Sequence, residues 1–255
     1  MPTPRSPKRT SSGSLLLAWT VLTVLASHAQ AQVPPGSDQL VLAIAPDWES
    51  TSATLTRWER RDAELVQVGA PVQVRLGRAG LAWGRGLHPP QEGRAKREGD
   101  GRSPAGVFRL GTAFADPPAP QPSGGWPVVE VTAHDLFVED PTHAAYNTHL
   151  RVPDARELTP WEAGQRMISG DPAHALKVLV EHNPEPVEPG AGSAIFLHTW
   201  RAGGEAVTSG CTAMDRDALD GLVRWLRPEA EPVFALLPAE AYRRTAEAWG
   251  LPVQP

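Results

Sequence analysis

Proline and glycine interrupt this chain so often that few stretches are left long enough for an extended helix. There are 27 prolines and 23 glycines among its 255 residues. Between the breaks lie short apolar runs, several of them alternating with period two, which is how half-buried strands read. Leu40-Val41-Leu42-Ala43-Ile44 is the first. Thr54 to Arg60 alternates, and Leu65 to Val68 and Val72 to Leu76 continue the pattern, with Gly69-Ala70-Pro71 as punctuation between them. Val107 to Leu110, Val128 to Thr132, Leu176 to Glu181, Ser193 to His198 and Val233 to Leu237 follow. Many short strands with Gly and Pro breaks predict a mainly β fold, a β-rich sandwich or barrel. No internal repeat is present.

Two or three short peripheral helices fit within this pattern. Thr159-Pro160-Trp161-Glu162 is a capping box with proline at the first helical position, predicting a helix to about Ile168. Asp215 caps a second, in which Leu219, Leu222, Val223 and Leu226 fall at i, i+3, i+4 and i+7 before Pro228. A third spans Ala239 to Trp249 and is closed by Gly250 and Pro252. Ala113 to Trp126, rich in proline and glycine, reads as loop.

Residues 1–31 read as an export signal. Arg5, Lys8 and Arg9 precede the apolar run Leu15 to Ala26, and Ala29-Gln30-Ala31 is a small-x-small cleavage site. The run is shorter than the roughly 20 residues that span a bilayer. Cleavage near Ala31 is therefore expected, with the protein exported to the periplasm or cell envelope. The remaining chain is one catalytic-sized domain at 39–237 and a C-terminal extension at 238–255. Its net charge is −5 before the basic leader is lost and more negative after, which argues against nucleic-acid binding.

Export sharpens the meaning of Cys211, the one cysteine in the chain. In an oxidising compartment cysteines normally pair. A solitary one is a buried hydrophobe, an intermolecular link or a working thiol. Cys211 follows Gly210 and lies between a strand ending near His198 and a helix starting near Asp215. That helix's positive end would favour a thiolate. The glycine would let backbone amides, Gly210 among them, point at a developing oxyanion. His198 can serve as general base and acid if the loop between folds back, with the Thr199 carbonyl holding its imidazole in the working tautomer.

At these residues the chain resembles the L,D-transpeptidase (YkuD-type) catalytic domain. His198 followed by Thr208-Ser209-Gly210-Cys211 is similar to that family's His … Ser/Thr-x-Gly-Cys signature. Lys96-Arg97-Glu98-Gly99-Asp100-Gly101-Arg102-Ser103-Pro104-Ala105-Gly106-Val107-Phe108 resembles its Lys-x-Glu-Gly-Asp-Gly-x-Thr/Ser-Pro-x-Gly-x-Phe segment. Val138-Glu139-Asp140-Pro141 with Tyr146-Asn147, and Gly192 to His198, complete a series in the family's order. The resemblance implies a mainly β domain acting on peptidoglycan stem peptides, with no metal or organic cofactor. It implies Cys211 as nucleophile and His198 as its proton partner, with Thr208, Ser209, Tyr146 and Asn147 at the substrate groove. For Tyr146 a buried, bonded hydroxyl is the alternative, and Glu98 to Phe108 reads equally as a turn fixed by Asp100.

Two positions depart from the family pattern. Many members have histidine or lysine where this chain has Ser209, and arginine or asparagine where it has Ala213, which leaves the acceptor open. Resolution of the acyl-enzyme by water would make the protein an L,D-carboxypeptidase. A zinc amidase needs ligand spacing that His134, His143, His149, His174 and His182 lack. A non-enzymatic envelope-binding module would use the scattered tryptophans as sugar platforms, although core packing is their default role. The sequence leaves the oligomeric state open.

Overall fold

The near-continuous apolar runs at 40–44 and 233–237 make strands buried on both faces. The computed structural model describes Met1 and residues 33–252 other than Ala63 and Ser169, so the proposed export signal lies outside the described residues. Its strands are β1 (Gln39–Ala45), β2 (Ser52–Arg61), β3 (Glu64–Arg75), β4 (Leu81–Trp83), β5 (Ser103–Ala115) and β6 (Val128–Glu130). They continue as β7 (Asp135–Phe137), β8 (His149–Arg151), β9 (Leu176–Val180), β10 (Phe196–Thr199), β11 (Thr212–Met214) and β12 (Val233–Pro238). The helices are α1 (Pro160–Gly164), α2 (Arg216–Trp225) and α3 (Ala239–Thr245). The fold is mainly β, as expected.

The strands run in the order β12-β1-β2-β3-β11-β10-β9-β5, and β5 pairs back onto β12, closing a barrel that leaves no long free edge. Leu42, Val74, Leu76, Val107, Leu197, Met214 and Phe234 belong to its core. Each large side chain fully buried there contributes roughly 1.5–3 kcal/mol. The buried leucines and valine of α2 join the same core, and Asp215 caps this helix by accepting the Asp217 N–H at 2.9 Å. The described residues after 237 pack into the core rather than standing apart from it. α3 packs over β1 and β12, and Ala241, Tyr242, Trp249 and Leu251 are buried there.

Four boundaries differ from the sequence reading. β3 runs unbroken through Gly69-Ala70-Pro71, where a register shift opposite Leu55 and Arg57 absorbs the irregularity. β5 extends to Ala115, so the loop begins later than Ala113. α1 stops at Gly164 because the backbone of 165–167 turns to pair with β7 instead. Phe137 N–H donates to Gln165 O and Met167 N–H to Asp135 O, both at 2.9 Å. α3 ends at Thr245, and the chain then turns so that Trp249 and Leu251 reach the core.

A second apolar cluster lies outside the barrel. Phe114, Val131, Phe137, Met167 and Phe196 form it, with Leu179, Ala194 and Cys211 alongside. Residues 131–168 thus cover one outer face of the sheet, and the candidate site opens beneath that cover.

Candidate active site

Strand register puts Cys211 and His198 on one face of the sheet. β10 and β11 run parallel with Leu197 opposite Thr212 and His198 opposite Ala213, which puts Phe196 beside Cys211. Leu197 faces the barrel core, whereas Phe196 belongs to the outer cluster with Cys211. Strand alternation therefore places His198 on the same outer face as Cys211, two residues along, a step of roughly 7 Å. The buried small side chain of Ala213 lies beside the imidazole on that face.

The turn carrying the thiol is built from its own side chains. Thr208 Oγ1 accepts the Gly210 N–H at 3.1 Å and donates to the Cys211 carbonyl at 2.7 Å. Ser103, at the end of the Lys96–Ser103 segment, donates to the same carbonyl at 3.2 Å and accepts the Gly77 N–H at 2.9 Å. Gly210 has φ +149°, and a Cβ there would lie 2.9 Å from the Arg102 carbonyl oxygen, so only glycine fits without displacement. The Gly210 amide is thus spent inside the turn, contrary to its expected oxyanion role. The Cys211 N–H has no hydrogen-bond acceptor among the described residues.

The thiol is not activated by a helix. β11 intervenes between Cys211 and the N-terminus of α2, roughly 10 Å of extended chain, so the expected dipole effect falls away. Cys211 Sγ lies 3.4 Å from the Phe196 N–H and 3.5 Å from the Ala194 carbonyl. Burial raises its pKa to about 11, against the opposing Phe196 hydrogen bond. At neutral pH the resting group is a thiol.

His198 is 3% exposed, and burial, reinforced by neighbouring His174, lowers its pKa to about 4. Its Nδ1 lies 2.8 Å from the Thr199 carbonyl. A neutral ring at that distance carries the proton on Nδ1 and leaves Nε2 unprotonated, and the Ala173 backbone is the ring's other hydrogen-bonding neighbour. The His174 ring lies against it, centroids 4.4 Å apart, and is anchored in turn near Asp171 and Arg201.

A cavity of about 420 Å³ opens over the thiol, lined by Cys211, Ser209, Gly210 and Ala194, the carboxylates Glu98 and Glu139, and the basic residues Arg78, Lys96, Arg166, His174 and Lys177. Of the expected substrate residues, Ser209 lines it, its hydroxyl receiving the Arg78 guanidinium at 3.0 Å. Thr208 does not; it holds the turn. Tyr146 is buried, donating to Glu98 and accepting the Gly192 N–H at 3.1 Å, and burial with the Glu98 contact raises its pKa to about 12. Asn147 lies behind the cavity wall, where it joins three backbone groups. Both act as supports for the cavity rather than as its lining. Asp100 fixes the Lys96–Ser103 turn by accepting the Arg97 and Arg102 N–H groups, each at 2.9 Å. Glu98 lay inside a quoted motif; Lys177 carried its own signal, a charge within an apolar strand. Among the described residues no group of three or more His, Cys, Asp or Glu side chains is placed to hold a metal. All tryptophans after residue 32 are buried or half-buried, none an open platform.

A closed β barrel with a thiol and an imidazole one strand step apart on its outer face, the thiol under a polar cleft, is a scaffold suited to acyl transfer. The family model for the YkuD L,D-transpeptidase catalytic domain matches residues 50–234, and the chain belongs to that family. No curated protein and no solved structure gives a significant match.

Proposed function

We propose that this protein is a peptidoglycan L,D-transpeptidase, exported to the cell envelope, with Cys211 as nucleophile and His198 as proton carrier. The observation that carries this reading is the shared outer face of β10 and the Cys211 turn, which sets the imidazole one strand step from the thiol over which the cavity opens. His198 Nε2 takes the thiol proton as sulfur bonds to the carbonyl carbon of the third residue of a tetrapeptide stem. The carbonyl oxygen becomes an oxyanion received by the Cys211 N–H. Collapse breaks the peptide C–N bond, His198 returns the proton to the leaving nitrogen, and D-alanine departs. A thioester remains on Cys211. An acceptor amine then attacks it, giving its proton through His198 to the departing sulfur, which restores the thiol. Glu98 and Glu139 on one side and Arg78 and Arg166 among the cations supply charges of both signs, suited to a zwitterionic stem.

Intact-mass spectrometry of the protein incubated with a carbapenem or a tetrapeptide stem tests this. A covalent adduct on Cys211, absent from Cys211→Ala, is expected, with a cross-linked product when an acceptor stem is present. Unmodified protein throughout would overturn the reading, and tripeptide without cross-link would make it a carboxypeptidase.

A further inference from the structure

Lys8, Lys96 and Lys177 are the only lysines in the sequence, and the two within the described residues both line the Cys211 cavity. Everywhere else the chain uses arginine for positive charge. The two amines are not equivalent. Lys96 Nζ lies 2.6 Å from Asp100 Oδ1 and 2.6 Å from the Arg97 carbonyl, so its charge is neutralised within its own turn. Lys177 is 4% exposed, and among the described residues no carboxylate lies within ion-pairing distance of it. Among the described residues its one hydrogen-bond partner is the Met167 carbonyl, at 2.7 Å.

Packing would be better served by an apolar residue here. Lys177 sits in Leu176-Lys177-Val178-Leu179-Val180, directly opposite His198 on β10 and Phe114 on β5. A buried ammonium that lacks a counter-charge is unfavourable, and such groups persist where a partner charge develops during function. Lysine also differs from arginine in the relevant way: it is a compact point charge whose proton affinity responds to burial.

We propose that Lys177 is the cation that stabilises the Cys211 thiolate, acting from β9 while His198 carries the proton from β10. The ammonium and the thiolate sense one another electrostatically, and each favours the charged form of the other. Division of labour follows, because His198, held neutral by burial, accepts the proton but supplies no standing positive charge. The other charged or titratable groups facing this pair are Asp116 after β5, His174 with its Asp171 and Arg201 partners, Lys96 with Asp100, and Glu139 beside Glu98. Asp116 acts on Lys177 from a distance, Glu139 opposes the thiolate, and Lys96, which favours the thiolate ahead of Lys177, is tied to Asp100. Arg78 and Arg166 also line the cavity but are exposed, so Lys177 is the buried positive group without a neutralising partner.

This inference rests on Cys211 being the reacting thiol, but its test needs no substrate. Because Cys211 is the sole cysteine, thiolate absorbance near 240 nm and iodoacetamide alkylation report on it alone. Lys177→Met and Lys177→Gln are each expected to slow alkylation at pH 8 about tenfold, because the small thiolate fraction then lacks its ammonium neighbour. An unchanged rate in either folded variant overturns the proposal. If both variants fail to fold, the lysine itself provides the second measurement. In protein carrying 13C-labelled lysine, Cys211→Asp, which puts a standing anion at the thiolate position, should raise the titration midpoint of the Lys177 Cε resonance by about one pH unit relative to Cys211→Ser, and an unmoved resonance overturns the idea. Failure to form an acyl adduct with stem peptide, alongside an intact Lys177–Cys211 coupling, would sink the transpeptidase reading alone.

Discussion

The side-chain carbonyl of Asn147 accepts the backbone N–H of Ala194 at 3.1 Å, and this bond holds the residue whose own carbonyl faces the Cys211 thiol. Ala194 is held at φ +52°, a left-handed conformation that alanine rarely adopts. In that conformation its carbonyl faces Cys211 Sγ at 3.5 Å. The Asn147 amide nitrogen meanwhile donates to the His182 and Asn183 carbonyls at 2.9 and 3.1 Å. One asparagine therefore ties the segment after β7 to both ends of the loop between β9 and β10.

Asn147→Ala orphans three backbone groups at once and leaves alanine at φ +60°. The expected loss of stability is about 2–4 kcal/mol, from unsatisfied polar groups and local strain. Acylation of Cys211 should slow as well, because Ala194 can relax away from left-handed geometry. Asn147→Asp keeps the acceptor for Ala194 and loses only the donors, so it should acylate faster than the alanine variant. Urea unfolding and the rate of carbapenem adduct formation check both statements. Stability within 0.5 kcal/mol of wild type, a threshold well below the expected polar penalty, would refute the role.

Gly210→Ala is expected to remove acylation while leaving the barrel folded. The added Cβ meets the Arg102 backbone rather than a movable side chain, so the turn itself must shift. The backbone conformation adds a strain of order 1–3 kcal/mol. Near-UV circular dichroism should stay close to wild type while adduct formation falls at least tenfold. Full acylation would show that the turn tolerates displacement.

Ser103→Ala separates the scaffold from the chemistry more gently. It leaves the Gly77 N–H without its hydroxyl acceptor but keeps the Thr208 bond to the Cys211 carbonyl. A loss of about 1–2 kcal/mol is expected, with adduct formation slowed less than in Gly210→Ala. Thermal unfolding and adduct kinetics, read on the same two variants, test that ranking.

How far the sequence reveals this arrangement depends on whether its signals are local. Period-two alternation marks β2, near-continuous apolar runs mark β1, β9 and β12, and the 3.6-residue period of Leu219, Leu222, Val223 and Leu226 marks α2, because each element declares what it buries. β11 has no such signal. It is three residues long and is a strand because β10 and β3 flank it, so Cys211 reads falsely as a residue at a helix N-terminus. The Gly69-Ala70-Pro71 segment misleads in the opposite sense, since turn residues also serve a bulge in a long paired ribbon. Thr208, Tyr146 and Asn147 are legible as part of the site region, but their duties depend on hydrogen bonds that spacing does not reveal. Lys177 is the converse case, a charge inside an apolar strand whose meaning appears only once β10 lies beside it.

Two buried imidazoles predict how stability changes with pH. His182 and His198 both have pKa values lowered from 6.5 to about 4, chiefly by burial. A lowered histidine pKa means the unfolded chain binds protons that the folded chain refuses. Stability therefore rises with pH through this range and is lost as pH falls from 6.5 towards 4. Each group is worth on the order of 2–3 kcal/mol at full shift. Glu162 and Asp171, held at about 2, lose their stabilisation as pH falls through the ordinary carboxylate range, and Glu139, raised by burial, opposes the loss there, so the histidine signal is read between pH 7 and 5. On the alkaline side Cys211, raised from 9.0 to about 11, favours the folded thiol, so stability should fall as pH climbs from 9 to 11. Urea titrations should show a loss of several kcal/mol between pH 7 and 4.5 and an alkaline decline diminished in Cys211→Ser. NMR of the imidazole C–H groups should place the His198 midpoint near 4. A flat profile between pH 7 and 5, or a His198 midpoint near 6.5, would mean that the imidazole is solvated and that a charged histidine, rather than a neutral one, stands beside the thiol.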